Sequence, residues 1–446
     1  MKPARNGSAL LLTLLSPLAA AESDQSRANG FIEDSTWGVL NRSVYDRRDY
    51  RHGARNSGAR NAYKPRTERN DYAEEWAYGL MGSWQSGFTQ GLIGVGIDAH
   101  GYAGRQLDSG GGRAGKARLL GIDNAGHPKN EYGRGGAAVK LQISSTVLAY
   151  GEQRVKTPVF SSSDSRLLPE TATGVFISSH EIDRLKLVAG HFTESTDRNA
   201  SSHDRGFVVN YSNARKGDGF DLAGLVYSPN SHLSASLFTS RYADTWRQHY
   251  VGTTFQQALG NDQALSVDLN LYRTVDEGKA LSGRIDNTTW SLKSTYTLGP
   301  HSFALGYQKV AGDTPFDYVT RGAILISNAV QLSDFNAPHE QSWQARYDLS
   351  MAPWGLPGLR FAAAYIRGSQ IDGSHVDPAG GYAYLAYGKG GRHWERDLEA
   401  SYTVQGGSTK GMRVVLRHNV HRANVAQAEL DTDQLRVALE YPLSGP

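Results

Sequence analysis

The feature that most constrains the fold of this chain is a two-residue alternation of apolar and polar side chains, repeated in runs of about ten residues. In one run, Leu265, Val267 and Leu269 alternate with Ser266 and Asp268. The pattern occupies the runs Leu265–Leu271, Trp290–Leu298, Phe303–Tyr307, Trp343–Leu349, Leu398–Val404, Met412–Leu416 and Leu435–Tyr441. Successive side chains of a β-strand point to opposite faces, so each run predicts a strand with one apolar and one polar face.

Two kinds of protein show this alternation, a water-soluble β-sandwich and a β-barrel that crosses a membrane. The runs have about the 9–11 residues that a tilted strand needs to cross a bilayer. Aromatic residues stand near run ends, at Trp290, Trp343, Trp394 and Tyr441, where membrane barrels carry interfacial rings. The alternation continues to the C-terminus without a break into separate domains. We therefore predict an all-β fold, a transmembrane antiparallel β-barrel, with a secreted multi-domain β protein as the alternative.

The composition agrees with this fold and excludes other classes. Glycine accounts for 50 of the 446 residues, and the aromatic residues make up 10%. The mean hydropathy is −0.48, and no apolar stretch reaches the roughly 20 residues that a membrane-spanning helix needs. The chain has no cysteine, which excludes a disulfide scaffold, a cysteine-ligated metal site and a thiol nucleophile.

The length sets the size of the predicted barrel. At roughly 22–26 residues for a strand and its connection, the chain supplies about 16–19 strands, and single-chain outer-membrane barrels generally have an even number. A lumen enclosed by that many strands is too wide for side chains to fill, so it holds water. The length therefore predicts a water-filled pore.

The N-terminus predicts export. Two basic residues precede a short apolar stretch, Ala9–Ala20, and an Ala-x-Ala cleavage pattern ends at Ala21. This is the arrangement of a secretory signal peptide. We predict a signal peptide over residues 1–21, cleaved after Ala21, and a single barrel domain over residues 22–446. The expected location of such a barrel is the outer membrane of a Gram-negative bacterium, and the lack of cysteine suits an oxidising compartment.

The polar face of the predicted strands is rich in basic residues. Those that alternate with apolar neighbours are Lys140, Lys293, Arg346, Arg413, Arg417 and Arg436. If the apolar face contacts lipid, these side chains point into the pore. Arginine stays charged and its planar fork matches a carboxylate, so a column of arginines would attract anions along a path. The alternative is that scattered lumen charges pair with acidic neighbours such as Glu399 and Glu440.

A second basic cluster runs from Arg42 to Arg69, with nine basic residues against three acidic ones. Nucleic-acid binding is a poor explanation, because the chain is predicted to be exported and its net charge is only +3. Two readings stay open. The cluster is either a solvated loop or a contact with lipid phosphates, including those of lipopolysaccharide, outside the cell.

The alternation fails in the segment 152–174, which is polar and contains Pro158 and Pro169. A structureless stretch this long in a compact protein is usually functional. We predict that it folds into the barrel and narrows the lumen, bringing Arg166 and Asp164 to the constriction. An ordinary external loop is the alternative.

Short stretches along the chain resemble the OprD family of substrate-specific outer-membrane porins, the outer-membrane carboxylate channels. They are GFIEDS at 30–35, SGFTQG at 86–91, TPVF at 157–160, SRLLPETATG at 165–174, AGHFTE at 189–194, SWQARYDL at 342–349, HRAN at 421–424 and EYPL at 440–443. They occur in family order over nearly the whole chain. The resemblance implies an 18-stranded barrel with an inward-folded loop, present as a monomer or weak trimer. It also implies passive uptake of small carboxylate-bearing nutrients.

The resemblance further implies a ladder of arginines that leads to the narrowest point, the eyelet, with acidic or carbonyl groups opposite. By position, Arg48 and Arg166 match ladder or eyelet arginines. Arg417 and Arg436 match ladder arginines of the last strands. The acidic candidate at the constriction is Asp164.

The chain also departs from the family pattern. Val415 stands where a ladder arginine is expected, and Arg413, two residues earlier on the same face, is the expected substitute. Ser401 replaces a ladder lysine. The segment 316–328 lacks the Gly/Ser/Asp-rich stretch that supplies an acidic pocket in channels for basic amino acids, and it carries Arg321 instead. These departures argue against a preference for cationic amino acids.

The function predicted from the sequence is a substrate-selective porin for passive diffusion of small carboxylates, whether aromatic or aliphatic carboxylates or amino acids. The expected partners are these solutes, outer-membrane lipid and lipopolysaccharide. The alternatives are a general, non-selective porin and an outer-membrane enzyme on a barrel. The sequence has no G-x-S-x-G and no H-E-x-x-H motif, so we predict no catalysis, no cofactor and no metal.

Overall fold

The computed structural model describes residues 25–445 apart from 110–111, 116, 202–205, 208, 215–216 and 323. The predicted signal peptide lies outside the described residues. Among them, no helix is long and apolar enough to cross a membrane. The helical turns of this region are 3-10 turns of three to five residues.

In the part of the chain that the structure describes, eighteen strands form a single antiparallel sheet. They are β1 Thr36–Tyr50, β2 Tyr72–Gln85, β3 Gly94–Asp108, β4 Glu131–Ile143, β5 Thr146–Gln153, β6 Thr171–Ile182, β7 Leu185–Thr196, β8 Phe220–Asn230, β9 Leu233–Tyr242, β10 Trp246–Gly260, β11 Gln263–Asp276, β12 Asp286–Leu298, β13 His301–Ala311, β14 Gln341–Ser350, β15 Leu359–Asp372, β16 Lys389–Thr403, β17 Arg413–Ala423 and β18 Thr432–Gly445. Each strand pairs with its neighbours in sequence, and β1 pairs with both β2 and β18. The sheet therefore closes on itself, which confirms the predicted barrel.

The outward face of the barrel is apolar. Large apolar side chains that stand exposed on it include Val139, Leu141, Leu269, Leu292, Leu305, Leu398, Leu416, Leu435 and Leu439. A surface with this much exposed hydrocarbon suits lipid rather than water. Closure of the sheet also leaves no strand edge with unpaired backbone groups, as the bilayer interior requires.

Aromatic rings of neighbouring strands touch one another on this outward face. The ring of Trp343 lies 5.5 Å from that of Tyr365, which lies 5.9 Å from Trp394. Trp290 of β12 and Tyr307 of β13 are 5.3 Å apart. These rings belong to β12–β16, and Trp290, Trp343 and Trp394 lie near the starts of their strands, where membrane barrels carry interfacial aromatics.

The two ends of the barrel differ in the length of their connections. Short turns, at 144–145, 183–184, 231–232, 261–262 and 299–300, close one end, and long loops, at 51–71, 109–130, 154–170, 197–219 and 312–340, close the other. Outer-membrane barrels have short periplasmic turns and longer extracellular loops. We therefore call the long-loop end the extracellular end.

Several extracellular loops pack against the inner wall through an apolar cluster. Phe160, from the segment 154–170, stacks on Phe192 of β7 with ring centres 5.0 Å apart. Phe316, from the loop 312–340, lies 4.8 Å from Tyr272 of β11. All four side chains are buried. The apolar cluster therefore holds parts of both loops against the strands.

Candidate functional site

The segment 154–170 is fixed to the wall where the barrel closes. Arg42 of β1 donates hydrogen bonds to Asp164 (2.7 Å) and to the carbonyl oxygen of Arg166 (2.9 Å). Arg436 of β18 donates to the carbonyl oxygen of Ser165 at 2.8 Å. Two strands of the closing wall therefore hold the middle of this segment.

The same segment contacts a distant part of the wall as well. The Tyr272 hydroxyl of β11 donates to the carbonyl oxygen of Pro158 at 3.0 Å. The Thr320 hydroxyl, in the loop 312–340, donates to the carbonyl oxygen of Ser161 at 2.5 Å. Strands β1 and β11 lie on opposite sides of β5 and β6 in the strand order. The contacts of this segment therefore extend well beyond the two strands that it connects.

Strands β1, β17 and β18 bring four of the predicted basic residues onto one inner face. Arg417 of β17 stands directly opposite Arg436 of β18, and Arg436 stands opposite Asp46 of β1. Directly opposite residues of antiparallel strands point to the same face. Arg48, two residues from Asp46, and Arg413, four residues from Arg417, share that face.

Asp46 is the acid at the centre of this arrangement. Its side chain is fully buried, lies 3.2 Å from Arg48 Nε and accepts a 2.7 Å hydrogen bond from Gln434. Arg436 makes no ion pair within 4 Å among the described residues. Glu75 of β2, also buried, stands opposite Asp46 in the register. Two carboxylates therefore stand beside several guanidinium groups.

Glu399 of β16 pairs with two of these arginines. Arg417 lies 2.6 Å from Glu399, and Arg413 lies 3.5 Å from the same carboxylate. About a third of each arginine side chain stays exposed, 33% for Arg417 and 35% for Arg413. Val415, between them, faces Ala438 and Ser401. The pairing expected for Glu399 is thus present, and it leaves both arginines in reach of the pore.

The other predicted basic residues also face inward but lie elsewhere. Lys140 of β4 is 2.5 Å from Asp98, near the periplasmic end. Arg346 of β14 is 2.6 Å from Asp348. Lys293 of β12 stands opposite Asp268 in the register. At least two strands separate each of these charges from the group β17, β18 and β1.

Arg166 lies among like charges. It donates to the carbonyl oxygens of Ala117 and Ser165, each at 3.1 Å. Burial inside the barrel lowers the pKa of Arg166 well below its usual value, and the charges of Arg198, Arg436 and Arg48 lower it further. This crowding marks a place where an anion would relieve repulsion.

Asp164 forms ion pairs with two arginines. It lies 2.7 Å from Arg42 and 3.0 Å from Arg154. Although burial raises its pKa, these two arginines hold the pKa of Asp164 below its usual value. The carbonyl oxygens of Ser165 and Arg166 lie beside it. Those two carbonyl oxygens accept hydrogen bonds from Arg436 and Arg42, so the acceptors of the segment here are also bound to the wall.

The chain matches the family model for the outer membrane porin, OprD family, over residues 29–445. It belongs to the OprD family of porins. Porin D of Pseudomonas aeruginosa is 43% identical over 432 residues, 95% of this chain and 94% of that protein. The porin-like protein GalP of Pseudomonas putida is 30% identical over 431 residues, 96% of each chain.

Solved structures of OprD-family porins agree with the barrel. The crystal structure of Pseudomonas aeruginosa OprD is 41% identical and has a TM-score of 0.80, covering 94% of this chain and 98% of that one. The Pseudomonas aeruginosa OpdK structure with vanillate is 33% identical, with a TM-score of 0.81, covering 93% and 100%. This OprD-family porin is therefore an outer-membrane channel for small solutes in a Gram-negative bacterium.

The structure of this porin places further basic residues inside the barrel, beyond those that the alternation predicted to face the pore. Arg321 lies 3.1 Å from Asp197, Arg198 donates to the Ser165 hydroxyl at 3.1 Å, and Arg134 donates to the carbonyl oxygen of Ala200 at 2.8 Å. Arg198 and Arg321 lie in loops, where no alternation assigns a face. Arg42 lies an even number of residues before Arg48 on β1, so strand alternation places both on one face and could have identified Arg42 as inward-facing.

Arg321 and Asp317 connect the loop 312–340 to neighbouring loops. Its backbone N–H donates to Glu170 at 2.9 Å. Asp317, the acid in the segment 316–328, accepts backbone N–H bonds from Tyr211 and Ser212 at 3.1 and 2.9 Å. That carboxylate is occupied in holding two loops together.

Proposed function

We propose that this porin selects small carboxylate-bearing solutes for passive diffusion. The path we assign runs along Arg48, Arg436, Arg417 and Arg413, with Arg166 of the segment 154–170 at the constriction. The observation that supports it most directly is the crowding of the guanidinium groups of Arg48, Arg198 and Arg436 around Arg166, beside the buried acid Asp46. The outer partners we propose are lipid and lipopolysaccharide, and we propose a monomer or weak trimer.

The spacing of the basic groups suits transfer of one anion from site to site. Residues two apart on a strand are separated by about 6.7 Å, and residues four apart by about 13 Å. Arg417 and Arg413 are four apart on β17. A carboxylate can leave one guanidinium as it reaches the next, and multi-site binding of this kind lets a solute enter without being trapped.

The alternative, a general porin, predicts no dependence on the solute's charge. Purified protein in liposomes, exposed to a panel of solutes of similar size, separates the two. We expect uptake of an aromatic carboxylate such as benzoate to exceed that of the matched neutral amide, benzamide. Arginine should enter more slowly than the aromatic carboxylate, because the segment 316–328 carries Arg321 and lacks the Gly/Ser/Asp-rich stretch that the family resemblance associates with uptake of basic amino acids. Equal uptake of benzoate and benzamide would reject the carboxylate path and favour a general porin.

A further inference from the structure

A cluster of three metal-ligating side chains lies at the extracellular end of the barrel, apart from the arginines of the proposed path. It contains His393 at the start of β16, His421 near the end of β17 and Glu429 in the loop 424–431. His393 Nδ1 and His421 Nε2 are 2.9 Å apart. Glu429 Oε2 lies 3.1 Å from that Nε2 atom and 3.5 Å from that Nδ1 atom.

The outer hydrogen bonds of the two imidazoles fix where their protons sit. His393 Nε2 lies 2.6 Å from a carboxylate oxygen of Glu340, and His421 Nδ1 lies 3.1 Å from the carbonyl oxygen of Leu430. Both partners only accept, so these outer nitrogens are the donors. In the neutral imidazoles the inner nitrogens then carry lone pairs. Three electron-pair donors, the third from Glu429, point at one another, and a cation between them would stabilise this arrangement.

The separations match those around a four-coordinate metal ion. Zinc bonds to histidine nitrogen and carboxylate oxygen are about 2.0–2.2 Å long, which places tetrahedral ligand atoms about 3.3 Å apart. The three distances in the cluster are 2.9, 3.1 and 3.5 Å. Two nitrogen ligands and one carboxylate suit zinc or another divalent transition metal rather than calcium or magnesium, which prefer oxygen.

The surroundings hold these ligands in place. The side chains of His393 and Glu340 are fully buried, and the Phe335 ring stacks on His393 with centres 4.1 Å apart. The Ser333 hydroxyl donates to Glu429 Oε1 at 3.2 Å. A carboxylate or carbonyl on the outer nitrogen of a ligating histidine is the usual support of a metal site. The Glu429 side chain is 26% exposed, which leaves a route for an ion and for a water ligand.

We propose that His393, His421 and Glu429 form a binding site for a divalent transition metal ion, zinc in the first instance. The bound ion would join β16, β17 and the loop 424–431, and through Glu340 it would also tie in the end of the loop 312–340. The site is separate from solute selection, so its presence or absence does not bear on the proposed carboxylate path.

The test measures zinc binding to the full-length mature protein without a histidine tag, folded in detergent micelles and freed of metal with a chelator that is then removed. Isothermal titration with zinc chloride at pH 7.5, followed by elemental analysis after gel filtration, should give one ion per chain with micromolar or tighter affinity. Glu429→Gln and His421→Ala should each weaken binding by tenfold or more. Glu429→Gln changes a partly exposed loop residue, so it tests the site even where His421→Ala fails to fold.

The matched control is His339→Ala, which removes an exposed histidine from the same end of the barrel, 2.8 Å from Asp313. It should leave zinc affinity unchanged. Cobalt substitution supplies an independent signature, since cobalt in a tetrahedral nitrogen and oxygen site absorbs visible light strongly. Failure of the wild-type protein to retain zinc would overturn the proposal and leave the cluster as a proton-bridged pair. Equal loss of affinity in the His339 control would overturn it as well, by assigning the binding to surface histidines.

Discussion

Removal of two ladder charges tests the proposed path most directly. Arg417 and Arg436 stand directly opposite each other on β17 and β18, so Arg417→Ala with Arg436→Ala lowers the charge of one level of the pore by two. The remaining charges keep partners. Asp46 retains Arg48 at 3.2 Å, and Glu399 retains Arg413 at 3.5 Å. The two substitutions also remove a like-charge contact, so we expect the barrel to fold.

The size of the effect follows from Coulomb's law. At about 6 Å and the dielectric constant of water, one guanidinium attracts an anion by about 0.7 kcal/mol. Two such groups contribute about 1.4 kcal/mol, which corresponds to about a tenfold change in occupancy by an anion. The walls lower the effective dielectric constant, so this value is a lower bound at low salt. Since the Debye length falls from about 10 Å at 0.1 M salt to 3 Å at 1 M, the effect should shrink in concentrated salt.

The assay is the reversal potential of single channels in a planar bilayer under a potassium chloride gradient, with the dilute side at 0.1 M. We expect the anion-to-cation permeability ratio to fall about tenfold. Arg47→Ala and Arg396→Ala, on the outward faces of β1 and β16, are the matched controls and should leave the ratio unchanged. A double variant that conducts with the wild-type reversal potential would refute the ladder.

Two further perturbations address the segment 154–170. Arg42→Ala removes a side chain that is 7% exposed and pairs with both Asp164 and Glu440. Because loss of a buried ion pair costs about 3 kcal/mol, limited proteolysis should cut the segment 154–170 faster in this variant than in Arg47→Ala. Equal cutting of the two variants would show that the Arg42 pairs do not hold the segment. Burial, with a contribution from Asp197, raises the pKa of Glu170 to about 7, so this carboxyl is neutral below that pH and negative above it. Anion preference in the same bilayer assay should therefore rise as pH falls from 8 to 6. Glu170→Gln should make anion preference less dependent on pH. If the pH profile of that variant matches the wild type, Glu170 is not the source of the pH dependence.

The alternation in the sequence predicted the strand faces well. On β18 the apolar Leu435, Val437 and Leu439 face outward, and Arg436 faces the lumen. Strand alternation needs only neighbouring residues, because the pleat itself sets the period. For the same reason, the alternation predicted strands within β11–β14 and β16–β18 without any knowledge of the fold.

The register and the loop contacts could not be predicted from the sequence. That Arg417 stands opposite Arg436 depends on how the loop 424–431 joins β17 to β18. The burial of Asp46 beside Arg48 depends on closure of β1 against β18. His393 and His421 are 28 residues apart, and only strand pairing brings them together.

The pairing of β1 with β18 has a consequence for assembly. In the observed register, Arg42 faces Glu440 and Asp46 faces Arg436. A shift of two residues in one direction would keep the same faces but set Arg48 against Arg436. A shift in the other direction would place Arg42 opposite Ala438 and leave both opposite-charge pairs unmade. Charges assigned to the solute path, Arg436 and Arg48, therefore also favour the correct register when the barrel closes. Of these three alignments, only the observed one pairs opposite charges at both positions.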